Sequence, residues 1–336
     1  MAMLARGCLR LLEWPYTAAV RVRNWRYDTG RSAIINVGVP VVSVGNITLG
    51  GTGKTPAVEW LVRWFTERGL RVALVSRGYG AAAGEANDES LELAQKLPGM
   101  PHVLDADRVR GARRAIAEFD CQLIVLDDAF QHRRIHRDLD IVLIDALEPL
   151  GFGHVFPRGT LREPLVGWRR AKVAILTRSD LVDASQRAEI RRHFARYAPT
   201  AAWVEAKYPP RALASADCQE GNTAELTGRR VAAFCGIGNP AGFRHSLAQC
   251  GYHVVAMREL PDHFSYPAGE VAALAQWADS LQVDSAVCTS KDLVKIGSRW
   301  PGATPLCALV SRLQIVGGQS ELEVCLQRLV DRARVG

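Results

Sequence analysis

"GNITLGGTGKTP" fills positions 45–56, and its Gly53, Lys54 and Thr55 complete the G-x-x-x-x-G-K-[ST] signature of a phosphate-binding loop. The first glycine of that signature is missing, and Thr48 stands in its place. A phosphate needs converging backbone N–H groups, the positive end of a helix, a lysine and a hydroxyl for magnesium. Gly50, Gly51 and Gly53 let the backbone approach closely, Lys54 can reach the outer phosphates, and Thr55 is placed for Mg²⁺. Thr48 is tolerable at the loop's entrance if its backbone stays in a region open to any residue. The alternative is a glycine-rich turn with an incidental lysine. The flanks argue against it: "PVVSVGN" (40–46) reads as a buried strand, and "KTPAVEWLVRWFTERG" carries apolar residues at helical spacing up to Gly69. The whole loop, with Leu49 and Thr52 inside it, is therefore expected to bind a nucleotide.

The same device recurs downstream. "LRVALVSRGYG" is a strand over 70–76 followed by a glycine-bearing loop, and "CQLIVLDDAF", "LDIVLIDA" and "AKVAILTRSD" are further buried strands with helical stretches between most of them. Such alternation implies a parallel sheet with functional loops at the carboxyl ends of its strands. Over 205–228 the pattern loosens into turn-rich sequence and reads as a linker. A second alternation runs from "RRVAAFCGIGNP" to the helix "SELEVCLQRLVDRAR". The expected fold is α/β: a P-loop NTPase domain with a mostly parallel sheet over 29–204, and a smaller α/β domain over 229–336. The last helix is free to pack back on the first domain.

Over 336 residues, 48% hydrophobic and 23% charged, an ordinary globular core is expected. The net charge of +7 suits an anionic partner, although a solvated surface slightly rich in arginine accounts for it equally well. Eight cysteines lie singly, without a C-x-x-C pair, as expected of buried thiols in a reducing compartment and not of a disulfide frame or zinc site. No run approaches the roughly 18–20 apolar residues of a membrane span. Residues 1–28 mix Leu, Trp and Tyr with Arg6, Arg10, Arg21, Arg23 and Arg26, and Glu13 and Pro15 interrupt the run. This segment reads either as a helix packed on the domain or as one lying in a membrane interface.

Four further stretches carry candidate chemistry. Asp127 and Asp128 end the strand of "LIVLDDAFQHRR", where a carboxylate can hold Mg²⁺, although paired acids can also cap a helix. "TRSD" (177–180) resembles the guanine-reading element of GTPases, with Arg178 in place of lysine; Asp180 is equally a helix cap. Asp88, in "NDESLELAQ", is placed in a loop after the second strand. His263 lies between Asp262 and an aromatic pair in "LPDHFSYPAGE". On residue chemistry alone, both are surface or capping groups as readily as catalysts.

"VSVGNITLGGTGKTP", "VSRGYG", "NDESLELA", "LDDAFQHRR", "GTLREP", "GIGNP", "PDH" and "TSKDLVK" stand in the order seen in the tetraacyldisaccharide 4′-kinase family, and the chain resembles that family from about residue 40 to 296. That family's loop also begins with a hydroxyl or small residue. It usually has glycine before the Asp-Glu pair and proline after it, where this chain has Asn87 and Ser90. The resemblance implies a kinase at the cytoplasmic face of the inner membrane, moving the γ-phosphate of ATP to the 4′-hydroxyl of a tetraacyldisaccharide 1-phosphate in lipid A biosynthesis. It implies a lipid substrate, a membrane surface and no nucleic-acid partner. Carried over by position, Lys54 and Thr55 serve ATP and Mg²⁺, Asp127 and Asp128 support the metal, Asp88 is the base, and His263 is its partner from the other domain. Arg77, Tyr79, Glu89, Gln131, His132, Arg162 and Glu163 match further active-site positions. The rival reading is a P-loop GTPase of the metallochaperone kind, and a third is a nucleotide-binding module without turnover, which Asp127 and Asp128 disfavour.

Overall fold

The computed structural model describes residues 2–78, 88–216, 219–262 and 264–335, with the side chains of 2–8, 88 and 89 left undescribed. The chain divides into two compact units, residues 1–85, 99–207 and 314–336 in the first and 86–98 with 208–313 in the second.

In the first unit, the β-branched run after Pro40 forms strand β1 (Val41–Gly45), buried at every position. The phosphate-binding loop leads from it into helix α2 (Lys54–Thr66). Strands β2 (Val72–Ser76), β3 (His102–Leu104), β4 (Leu123–Asp127), β5 (Leu139–Asp145), β6 (Val173–Thr177) and β7 (Ala202–Lys207) follow. They join a sheet of eight strands in the order β14-β7-β6-β5-β1-β4-β2-β3, where β14 is Gln314–Gly317. All neighbours are parallel except β14, which runs antiparallel to β7. Parallel strands buried on both faces account for the near-continuous Val, Ile and Leu runs. Helices α4 (Arg108–Phe119) and α5 (Ala184–Ala195) belong to this unit, as does helix α9 (Gln319–Val335), which packs on β7 through an apolar face including Leu322, Leu326 and Val330.

Helix α1 (Ala2–Asp28) runs without interruption past Pro15. Its inner side is pinned to the first unit. Glu13 accepts from the Val155 N–H at 3.2 Å and pairs with Arg158 at 3.3 Å, Val20 is buried, and Asp28 pairs with Arg133 at 2.8 Å and with Arg169. Its outer side leaves Leu11, Trp14, Val22 and Trp25 exposed, Trp14 at 74%. Spacings of three, eight and three residues put these four on one stripe of the helix. The packed reading of this segment thus holds for its inner face, while its outer face presents an apolar stripe to the exterior.

The second unit is built on a six-stranded mixed sheet in the order β11-β10-β12-β13-β8-β9. Its strands are β8 (Pro210–Ala214), β9 (Glu220–Gly221), β10 (Arg230–Cys235), β11 (His253–Glu259), β12 (Ser285–Thr289) and β13 (Leu306–Ser311). Helices α6 (Pro240–Gln249), α7 (Ala268–Ser280) and α8 (Ser290–Ile296) belong here, and so does α3 (Asp88–Lys96), which packs on α8.

Three boundaries differ from the sequence expectation. The stretch 205–228 is no linker: the end of β7, all of β8 and all of β9 lie in it. "PRALA" opens on Pro210, directly after Pro209, and has no β-branched residue, so its strand propensity is weak, and pairing with β13 decides the matter. Residues 314–336 belong to the first unit: α9 packs back on it, as the sequence left open, and β14 joins its sheet. Residues 86–98 belong to the second, so Asp88 opens a helix there instead of sitting in a loop of the first domain. Among the described residues Cys121, Cys235 and Cys288 are the buried free thiols expected, whereas Cys250, Cys307 and Cys325 are only partly buried; burial pushes Cys121 up to about 11 and Cys235 to about 12.

Candidate active site

β1 and β4 are neighbours, with Val44 opposite Asp127, so the phosphate-binding loop and the two aspartates leave the sheet at the same carboxyl edge. Gly45 is required there by a close approach. A Cβ on it would lie 2.8 Å from the Phe130 nitrogen, in the turn that follows the aspartates.

Thr48 needs no positive φ. Its backbone bridges to Leu161 in antiparallel fashion, and the Asn46 amide donates to its carbonyl at 2.8 Å. The first glycine of the signature is thus dispensable, because the entrance is extended and stapled by "GTLREP": Leu49 N donates to the Thr160 carbonyl at 2.6 Å, and Arg162 N to that of Ile47 at 2.6 Å. Gly53, with φ 81°, turns the chain into α2, where a side chain would cost about 1–2 kcal/mol. Lys54 and Thr55 follow as the first two residues of the helix. The amides at this helix start face an anion with the positive end of the peptide dipoles.

Lys54 is 8% exposed, and its Nζ lies 3.8 Å from Asp128. Asp128 adopts φ 47°, a left-handed turn that aspartate tolerates better than most residues. One terminal nitrogen of Arg162 donates to both Asp128 oxygens at 2.8 Å. Burial alone would raise the Asp128 pKa; the Lys54 and Arg162 charges outweigh it and hold the carboxyl below its ordinary value. Asp127, 5% exposed, ends β4.

Sequence reasoning missed Arg108, a buried side chain in the first turn of α4. It donates to the Asp105 carbonyl at 3.0 Å and the Asp127 carbonyl at 3.3 Å. Burial lowers its pKa, while Asp127 and then Asp128 pull it back up. Arg108 is one of four arginines in "DADRVRGARR" and is indistinguishable in sequence from its solvated neighbours.

The other candidates sort by surroundings. Gln131 donates to the Asn46 carbonyl and to Glu163 Oε1, both at 2.9 Å. Glu163 is fully buried; besides Gln131 it accepts from Arg170 at 2.7 Å and Asn24 at 3.0 Å. Burial would raise its pKa, and Arg170 foremost among these partners holds it down. His132 is driven to about 4, chiefly by burial and then by Arg108, and is neutral at pH 7. Arg77 is exposed just beyond β2. Asp88 and Glu89 start α3, and Tyr79 and His263 lie outside the described residues.

"TRSD" has a bracing role. Thr177 Oγ1 donates to the Thr52 carbonyl at 3.1 Å, and Arg178 donates to that of Gly51 at 2.8 Å while pairing with Asp145. Asp180 is exposed and caps nothing in α5; Asp183 is the cap, in a full capping box with Gln186.

Among the described residues no helix is long and apolar enough to cross a membrane, and no three His, Cys, Asp or Glu side chains are grouped to hold a metal by themselves.

The parallel sheet, the loop at its carboxyl edge and the lysine facing strand-end acids define a P-loop nucleotide-binding protein. A family model described as tetraacyldisaccharide-1-P 4′-kinase matches residues 5–331, and the chain belongs to that family. It is 39% identical to the tetraacyldisaccharide 4′-kinase of Anaeromyxobacter sp. (strain K), over 96% of this chain and 88% of that one. It is 36% identical to the one of Geobacter sulfurreducens, over 94% and 91%. The crystal structure of LpxK from Aquifex aeolicus in complex with ATP is similar across 97% of this chain and 99% of that one, with TM-score 0.77 and 27% identity. Membership in a kinase family sets aside the guanine-nucleotide switch.

Proposed function

We propose that this chain transfers the γ-phosphate of ATP to the 4′-hydroxyl of a tetraacyldisaccharide 1-phosphate, at the cytoplasmic face of the inner membrane, as a step in making lipid A. The observation that carries this reading is the convergence of Lys54 and Arg162 on Asp128 beside the phosphate-binding loop, in a chain that matches a kinase family over residues 5–331.

Phosphoryl transfer is chiefly positioning and charge stabilisation. The loop amides and Lys54 hold the outer phosphates of ATP. Asp128 keeps Lys54 and Arg162 aimed until an anionic phosphate competes for them. The donor set suits Mg²⁺: the Thr55 hydroxyl and the carboxylates of Asp127 and Asp128 are hard oxygen ligands, and Mg²⁺ is ordinarily held by one or two carboxylates together with substrate phosphates. When bound, it neutralises charge on those phosphates. Asp127 is the better inner ligand, because both Asp128 oxygens already accept from Arg162.

The acceptor hydroxyl is assigned to Asp88 as base, with His263 as its orienting partner. Both assignments rest on the family resemblance at these positions. The outer stripe of α1, flanked by arginines, is assigned to the membrane interface, where the acceptor's acyl chains reside. A cleft of about 270 Å³ beside it, walled by Arg21, Trp25, Val166 and Arg169, offers an apolar floor under cations.

The test is turnover of the wild type, Asp88→Ala, His263→Ala and the double variant. Each single change should lower kcat on the order of 10²–10⁴. The double should be little worse than the poorer single, since a dyad missing one member has already lost the joint effect. ATP affinity should stay near normal throughout. Fully multiplicative losses would overturn the pairing, and undiminished turnover in either single would overturn the assignment of that residue.

A further inference from the structure

Helix α1 reaches the phosphate-binding loop through a line of three hydrogen bonds. The Asn24 amide donates to Glu163 Oε2 at 3.0 Å. The other oxygen of Glu163 accepts from the Gln131 amide at 2.9 Å, and that same amide donates to the Asn46 carbonyl, also at 2.9 Å. Asn46 is the residue at which β1 gives way to the loop. Gln131 stands three positions after Asp128, and Glu163 follows directly on Arg162, which grips Asp128.

A second tie runs in parallel: the Tyr16 hydroxyl, also on α1, donates to the Arg162 carbonyl at 3.1 Å. The Asn24 backbone is itself held, its carbonyl accepting from Arg133 at 2.9 Å, so the side chain is presented from a fixed point. The ion at the centre of this line is fully buried. A buried carboxylate that loses a donor relaxes toward whatever partners remain, and it drags its neighbours with it. The apolar contacts of α1 with the unit could be made as well by leucine at position 24. What leucine could not supply is the donor.

We propose that Asn24 is a positioning residue for phosphoryl transfer: from α1 it holds Glu163, and through Glu163 it holds Gln131 against the phosphate-binding loop and Arg162 against Asp128. The seating of the lipid-facing helix is then read directly at the site that handles the nucleotide. This inference rests on the kinase reading above for its kinetic consequence, but not for its structural one.

The experiment compares Asn24→Ala, Asn24→Leu, Gln131→Ala and the double Asn24→Ala/Gln131→Ala in the full chain. Asn24→Leu keeps the branched shape and heavy-atom count of the side chain, at a somewhat larger volume, and removes the amide with its donor, so it carries the test if the alanine variant folds poorly. Asn24→Ala and Asn24→Leu should each lower kcat roughly ten- to a hundredfold, the scale of a lost hydrogen bond to a charged group. KM for ATP should move less than about twofold, and partitioning onto anionic vesicles should not change. The double should be no worse than the poorer single. Hydrogen exchange should quicken at 129–133 and 46–55 in the Asn24 variants, and this readout does not depend on turnover. Full kcat in Asn24→Leu, or multiplicative losses in the double, would overturn the proposal. If the wild type transfers no phosphate, the kinase reading fails instead; the exchange data then decide alone, faster exchange supporting the coupling and unchanged exchange refuting it.

Discussion

One terminal nitrogen of Arg162 lies 2.8 Å from each carboxylate oxygen of Asp128, while Lys54 approaches the same carboxylate to 3.8 Å. A single anion thus holds two cations in place at the carboxyl edge of the sheet. ATP brings phosphates that compete with that anion, so loading the site exchanges one set of ion pairs for another.

Lys54→Ala should abolish transfer, because the loop backbone survives and only the charge that reaches the phosphates is lost. Arg162→Ala should lower kcat on the order of 10²–10³, the range for removing one group that stabilises developing charge. Steady-state kinetics checks both, with circular dichroism and melting to show that the fold persists. A folded Lys54→Ala with near-normal turnover would remove the loop from the mechanism.

Acid stability should show a limb set by two half-buried histidines. His132 and His102 both fall from 6.5 to about 4 on folding, chiefly through burial. Each unfolded imidazole therefore takes up a proton at a pH where the folded one stays neutral. Stability is complete above about pH 6.5, falls as the pH drops from there toward 4, and levels off below it. Urea unfolding at several pH values checks this. His102→Asn, which also loses the 2.8 Å contact with the Ser76 hydroxyl, should flatten the decline between pH 6.5 and 4. An unchanged slope would mean that His102 is not neutral in the folded chain.

Removing residues 1–23 should weaken membrane association, and activity on long-chain acceptor more than on a short-chain, detergent-dispersed one. The electrostatic part should fade with salt, at about 1 kcal/mol or less for each basic residue near anionic lipid. Vesicle flotation reads the effect. Unchanged partitioning would leave α1 with the packing role that Glu13, Val20 and Asp28 already give it.

Much of this was legible in the chain before its fold was known. The loop from Thr48 to Thr55 and the strand-end pair Asp127–Asp128 declare themselves because their chemistry is local: glycines, lysine and acids within a few positions of a strand end. What stayed hidden is what long-range pairing decides. "PRALA" becomes β8 only because β13 offers it an edge, and Asp88 changes unit because α3 packs on α8. Arg108 gives no sequence signal, since burial at a helix start distinguishes it from Arg110 and Arg113 only after folding. The family resemblance singled out Glu163, but its bond to Asn24 joins residues 139 positions apart. "TRSD" pointed to guanine because the motif is defined by sequence, whereas here Thr177 and Arg178 hold carbonyls of the loop itself.

The most direct measurement is transfer of labelled γ-phosphate by the purified wild-type chain to a tetraacyldisaccharide 1-phosphate, with phosphorus NMR locating the new phosphate. The account predicts one phosphate added per disaccharide, at the 4′-oxygen, supported by ATP with Mg²⁺ and lost in Lys54→Ala. Label at another hydroxyl, label from GTP in preference to ATP, or no transfer by a folded, ATP-binding protein would contradict it.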